Sequence, residues 1–139
     1  MKYLSCVLLF TTLLLVSSCK DNSTEATDEF SNVLTLGTGL NPQNLFQLTG
    51  EGTAFTKNTP IFFRLESKDD MAGSTVRIKI ELKTNGTYGE NKSFDFPNPQ
   101  SYGHILLSSF TLDAAGSYRA TGILVTGNKT LATKEFVVN

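Results

Sequence analysis

An all-β sandwich is the fold class that this sequence predicts, and three observations predict it. Val76-Arg77-Ile78-Lys79-Ile80-Glu81-Leu82-Lys83 alternates apolar and charged side chains without a break, as a strand does with one face on a core and one in water. Short runs of similar character recur along the chain, with Gly, Asn and Pro between them. No segment carries a sustained apolar stripe of helical period.

Taken in order, residues 33–36 and 45–48 are short strands, separated by the breakers Gly37, Gly39 and Pro42. Ile61-Phe62-Phe63-Arg64-Leu65-Glu66 follows, opened by Pro60, and the alternating stretch of residues 76–83 comes next. His104-Ile105-Leu106-Leu107-Ser108-Ser109-Phe110 is apolar enough to be a central strand. The chain closes with a hairpin of residues 118–125 and 131–138 around Thr126-Gly127-Asn128-Lys129-Thr130. A three-residue Gly127-Asn128-Lys129 loop, with a left-handed residue in it, keeps the apolar side chains on one face. It pairs Tyr118 with Val138, Ala120 with Phe136 and Leu124 with Ala132, and puts Thr121 with Glu135 outside.

Before that hairpin stands Phe110-Thr111-Leu112-Asp113-Ala114-Ala115-Gly116-Ser117-Tyr118-Arg119-Ala120. The Gly-x-Tyr in this setting resembles the corner between strands E and F of immunoglobulin-like domains. The resemblance implies a single sandwich of about seven strands over residues 32–139. It makes Gly116 and Tyr118 the structural corner, with the tyrosine hydroxyl bonded back to the backbone a few residues upstream. Ala120 stands where antibody domains have a cysteine, and Asp113 lies one residue further from the tyrosine than the antibody pattern has it.

The 139 residues include 12 basic and 13 acidic side chains, a formal −1, which lacks the basic footprint of a nucleic-acid binder. Lys2 and the apolar run of residues 3–16 are too short for a membrane span and fit a signal peptide of residues 1–18. The run ends in Val16-Ser17-Ser18-Cys19, which resembles the lipobox of bacterial lipoproteins. That resemblance implies cleavage before Cys19, acylation of its sulfur and new amino group, and a membrane partner held through the acyl chains. Cysteine usage agrees. Cys6 leaves with the signal, so Cys19 is otherwise a lone thiol in an exported protein. Loss of Lys2 leaves 12 − 1 = 11 basic and 13 acidic groups, a formal −2.

Residues 19–31 hold Asp21, Glu25, Asp28 and Glu29 among Asn, Ser and Thr, with only Ala26 and Phe30 apolar after the cysteine. Such a stretch reads as a flexible acidic tether with a reach of roughly 20 Å r.m.s.. Cys19-Lys20-Asp21 also resembles the surface-export signal of some Gram-negative lipoproteins, although Asn22 stands where a second acid is typical. An outer-membrane lipoprotein is therefore expected, with the cell surface favoured over a periplasm-facing position.

No catalytic constellation is visible. His104 is the only histidine, and it sits in an apolar run with no supporting motif, so it reads as a strand residue before it reads as a base. Asp69 and Asp70, with Glu66, stand in a loop where two acids invite Ca²⁺, but that ion wants about six or more oxygens and the spacing matches no EF-hand, so no metal or other cofactor is expected. Asn22, Asn85, Asn91 and Asn128 begin Asn-x-Ser/Thr triplets of the kind chance yields in a chain rich in Thr and Asn. Phe94, Phe96 and Tyr102 flank Pro97 and Pro99, and two readings apply. They supply a rigid aromatic binding surface, or Phe94 and Phe96 alternate into the core and the prolines stop a strand.

The expected function is a non-enzymatic, membrane-anchored module that binds a protein, a glycan or an envelope polymer. A structural or assembly subunit of an outer-membrane complex is the alternative, and an enzyme using His104 stands below both.

Overall fold

The computed structural model describes residues 29–139. Its strands are β1 (Val33–Gly37), β2 (Gly39–Asn41), β3 (Asn44–Thr49), β4 (Ala54–Phe55), β5 (Pro60–Glu66), β6 (Thr75–Thr84), β7 (Thr87–Pro97), β8 (Ile105–Thr111), β9 (Gly116–Leu124) and β10 (Lys129–Val138). A three-stranded sheet in the order β1-β5-β8 faces a five-stranded one in the order β4-β10-β9-β6-β7, and β2 and β3 pair only with each other. With β1, β5 and β8 as strands A, B and E, and β7, β6, β9 and β10 as C′, C, F and G, this is an immunoglobulin-like sandwich.

Period-2 alternation fills the space between the sheets. Val76, Ile78 and Ile80 of β6 and Ile61, Phe63 and Leu65 of β5 are all fully buried. The two sheets approach closely at Gly122 of β9. A Cβ there would lie 2.8 Å from one Leu65 methyl carbon and 2.9 Å from the other, so the leucine takes the place of the missing side chain. β6 turns into β7 through Asn85 (φ 53°) and Gly86 (φ 83°), a two-residue loop whose two left-handed positions suit the twist of the hairpin.

The corner expected at Tyr118 is present. Its hydroxyl donates to the Ala114 carbonyl oxygen at 2.9 Å, and the residue is buried. Gly116 has no room for a side chain, since a Cβ there would lie 2.7 Å from a Leu82 methyl carbon.

Three expectations need correction. The first concerns β8, which is an edge strand rather than a central one, because among the described residues its hydrogen-bonded neighbour is β5 alone. Its apolar content reflects burial on one face plus half-burial of Ile105 and Leu107 on the other, and does not require strands on both sides.

The second is the register of the final hairpin. Four residues, 125–128, join β9 to β10, and the register shifts at Leu131. Tyr118 therefore pairs with Phe136, Ala120 with Lys134 and Thr121 with Thr133. Leu131 and Phe136 are both buried although five positions apart, and only a bulge lets an odd spacing serve one face. The gain is a stack of the Tyr118 and Phe136 rings, with centroids 5.6 Å apart. The left-handed residue expected in the loop is there twice, at Gly127 (φ 78°) and Asn128 (φ 50°).

The third is the start of the domain, where packing begins at Phe30 rather than Asn32. The Phe30 ring stacks on His104 with centroids 4.4 Å apart. The Ser31 backbone N–H and hydroxyl both donate to Glu66 Oε1, at 2.8 and 3.2 Å. Residues 1–28, with the expected signal peptide, Cys19 and most of the tether, lie outside the described residues.

Candidate functional site

The outer face of the five-stranded sheet is built by the charged half of the alternation. Register places Glu90 of β7, Glu81 of β6, Arg119 of β9 and Glu135 of β10 in one row across four strands. Three carboxylates thus lie in line with one guanidinium. Arg119 Nε donates to Glu81 Oε2 at 2.8 Å, and Lys79 Nζ lies 3.1 Å from Oε1 of the same group. Glu81 is buried beneath these partners, and the bond from Arg119 is the main cause that holds its carboxyl below the ordinary range. The same bond raises the Arg119 guanidinium.

Tyr88 stands beside this row on β7, opposite Lys83. The Arg119 guanidinium lies over its ring, 4.3 Å from the centroid, and Lys83 Nζ is 5.4 Å from it. Desolvation, and then the hydrogen bond to the Glu135 carboxylate, push the phenol above its usual value. Tyr88 borders two open cavities. One, of about 330 Å³, is lined by Leu82, Thr84, Thr87, Gly89, Glu90 and Asn91 as well as the tyrosine. The other, of about 260 Å³, runs past Thr53, Lys83, Ser117 and Glu135 to the edge of Tyr118.

Hydroxyls, both signs of charge and an aromatic ring fixed by a cation thus converge on one stretch of sheet. Such a surface can exchange hydrogen bonds with a ligand rich in hydroxyl or amide groups while Tyr88 offers an apolar face.

The residues singled out from sequence fall elsewhere. Phe94 and Phe96 alternate inward and pack on the core, Phe94 against Phe110 at 5.9 Å and Phe96 against Phe63 at 5.2 Å between centroids. Of the two readings of that stretch, packing is the one the structure bears out for both phenylalanines. Tyr102 is exposed, in a 3-10 turn (Gln100–Tyr102), and meets Phe46 of β3 edge to face at 5.3 Å. Between them, Asn98 is buried and donates from Nδ2 to the Gly103 carbonyl oxygen at 2.9 Å.

His104 Nδ1 lies 3.0 Å from the Ser67 carbonyl oxygen, which can only accept, so Nδ1 carries the hydrogen. With its ring stacked on Phe30, the histidine fastens the start of the domain. The loop acids have protein partners: Glu66 meets Arg64 at 2.6 Å, Asp69 meets Lys129 at 2.7 Å, and Asp70 accepts from the Ala72 N–H at 2.8 Å. Among the described residues no group of three or more His, Cys, Asp or Glu side chains is gathered to hold a metal ion. No protein-family model matches the chain, and no curated protein is significantly similar to it.

Proposed function

We propose that this chain is an envelope lipoprotein, held on a membrane through acylated Cys19, whose sandwich domain is a non-enzymatic binding module. The binding surface is the outer face of the five-stranded sheet around Tyr88 and Arg119. One observation carries the reading. The chain leaves the domain toward Cys19 at Phe30, beside His104, while the Tyr88 surface lies toward the other end of the strands, next to the Asn85-Gly86 turn. A domain tethered by one end thus turns a ring, two cations and two cavities away from its anchor. Hydroxyl- or amide-rich partners, a glycan, an envelope polymer or a protein segment, match that chemistry.

Two measurements test this. Affinity capture from envelope extract with the full mature protein, repeated with Tyr88→Ala and the exposed Lys83→Ala, is expected to lose its partner in both variants while their melting curves stay near the wild type. Capture unaffected by either change overturns the site. Cys19→Ala is expected to move the protein from the membrane fraction to the soluble one, and intact wild-type protein to carry acyl mass. Protease treatment of whole cells separates a surface position from a periplasm-facing one.

A second reading, an assembly subunit docking through a sheet edge, draws support from β8. Its run Ile105-Leu106-Leu107-Ser108-Ser109-Phe110-Thr111 contains no charge or proline, and its pairing with β5 shows no bulge. Edges without such devices are open to strand addition. A lysine at Ser109 that abolishes complex formation while Tyr88→Ala does not would favour this reading.

A further inference from the structure

The exposed apolar side chains are not spread evenly. Seven large ones are exposed among the described residues: Val33, Leu40, Leu45, Phe46, Tyr102, Val125 and Val137. Val33 pairs with Glu66 at the start of β1, and the Val125 N–H donates to the Thr75 carbonyl oxygen at the start of β6. Both mark the end of the sandwich where loops 67–74 and 98–104 hydrogen-bond to each other. Tyr102 is in the second of those loops, and it holds Phe46 of the β2–β3 hairpin, beside Leu45 at 62 % exposure. Five of the seven therefore belong to one end, whereas Val137, paired with Ser117, is at the other. The acids interleaved with them are occupied: Asp69 by Lys129 and Asp70 by the Ala72 backbone.

The same end is where the chain departs. Phe30 stacks on His104, two residues from Tyr102, and Ser31 is bonded to Glu66. Only eleven positions separate Phe30 from Cys19. An unstructured chain of that many residues spans roughly 20 Å r.m.s.. The ten residues of β6 are about 33 Å long. On that ratio the end bearing Phe30 is the one held against whatever surface Cys19 occupies.

We propose that this end, through Leu45, Phe46, Tyr102, Val33 and Val125, seats on the interfacial zone of a lipid bilayer. The assignment rests on the anchoring of Cys19 proposed above. Tyrosine suits a position with its ring among acyl chains and its hydroxyl at the headgroups, and the aliphatic neighbours add area that favours shallow insertion. The seating stands on apolar side chains rather than on charge attraction; of the cations at this end, Lys129 is matched by Asp69 and Arg77 by Asp95. The domain then stands upright with the Tyr88 surface turned outward, rather than swinging freely on its tether.

The chain has no tryptophan, so a single indole reports its own surroundings. Acylated full-length protein with Tyr102→Trp, Leu45→Trp or Val137→Trp is incorporated into neutral phosphatidylcholine vesicles carrying brominated acyl chains, and flotation reads anchoring separately. At positions 102 and 45 most of the emission is expected to be lost and the remainder blue-shifted, with emission at 137 unchanged. Adding Leu45→Ser and Phe46→Ser is expected to restore emission at 102 without changing flotation. Protein that floats but shows equal quenching at 102 and 137, or none, overturns the seated end and leaves anchoring intact. A blue shift at 102 without bromine quenching, as a second copy or another protein would give, also overturns it. Failure to float overturns the anchoring and the seated end together.

Discussion

The two ends of the sandwich are closed by different means. At the end away from Phe30, closure is by individual side chains in tight places. Tyr118 reaches back to Ala114, Gly116 makes room for Leu82, and Asn85 with Gly86 turns β6 into β7 in two residues. At the Phe30 end, longer loops are sewn together through their backbones, with Ser67 and Asn98 the buried polar side chains among them, each bonded within its own loop. Tight turns use up their aromatic residues in the fold, while loops closed by backbone bonds leave aromatic and aliphatic side chains outside. Exposed apolar surface therefore gathers where turns are loose, and the polar face around Tyr88 lies beside the tight end.

Substitutions can break this comparison, beginning with the largest effect. Tyr118→Ala removes a buried ring from the stack with Phe136 as well as the corner bond, and is expected to cost about 3–5 kcal/mol. Urea denaturation measures it, and Tyr118→Phe isolates the hydroxyl at about 1 kcal/mol. At the other end Asn98→Ala leaves the Gly103 carbonyl without its partner, and should cost about 1–3 kcal/mol. Its further signature is faster amide exchange in residues 98–104 with little change near Tyr118. Should Asn98→Ala loosen both ends equally, the two closures are not independent.

Smaller still is Asn85→Ala, which places a β-carbon residue less tolerant of the left-handed region at φ 53° and is expected to cost about 1 kcal/mol. Asn85→Gly should cost less than the alanine, and an equal cost would show that backbone strain is not what the position resists. The smallest effect is pH-dependent. The Glu66 carboxyl is held below its ordinary value first by the Ser31 N–H, then by Arg64, so its folded pKa is lower than its unfolded one. Its contribution is complete above the unfolded value, near 4.3, and disappears as pH falls through the folded one. Phe30 and Ser31 are thus expected to detach below about pH 4 before the sandwich unfolds, read as loss of the Ser31 amide's protection in NMR.

What the sequence made legible was whatever depends on neighbours a few positions away. Alternation in residues 76–83 and 61–66 located β6 and β5 and their inward sets, and Gly116 with Tyr118 located the corner. Where a strand lies in its sheet is a different kind of fact. β8 is as apolar as a central strand, yet no later segment pairs with its free side. The final hairpin departs from an unbroken register because Leu131 and Phe136, at odd spacing, both face the core across a bulge. Asn85-Gly86 likewise signals the β6–β7 hairpin, and that hairpin is what brings Tyr88 over Lys83. The Tyr88 surface itself had no local signature. Glu81 and Arg119 are 38 residues apart and meet only once β6 pairs with β9.

The last residue of the chain has a mechanical consequence. Asn139 donates its N–H to the Phe55 carbonyl oxygen and accepts from the Lys57 N–H, while β4 runs parallel to β10. The domain thus begins at one end, beside His104, and Asn139 is clasped at the other. A pull applied between those points runs along the strands, so the five β1–β5 pairs from Val33↔Glu66 to Gly37↔Phe62 are loaded in shear and share the force. A pull across the sheet would part them one at a time. The sandwich therefore resists best a force directed along its strands, from the Phe30 end toward the Asn139 end.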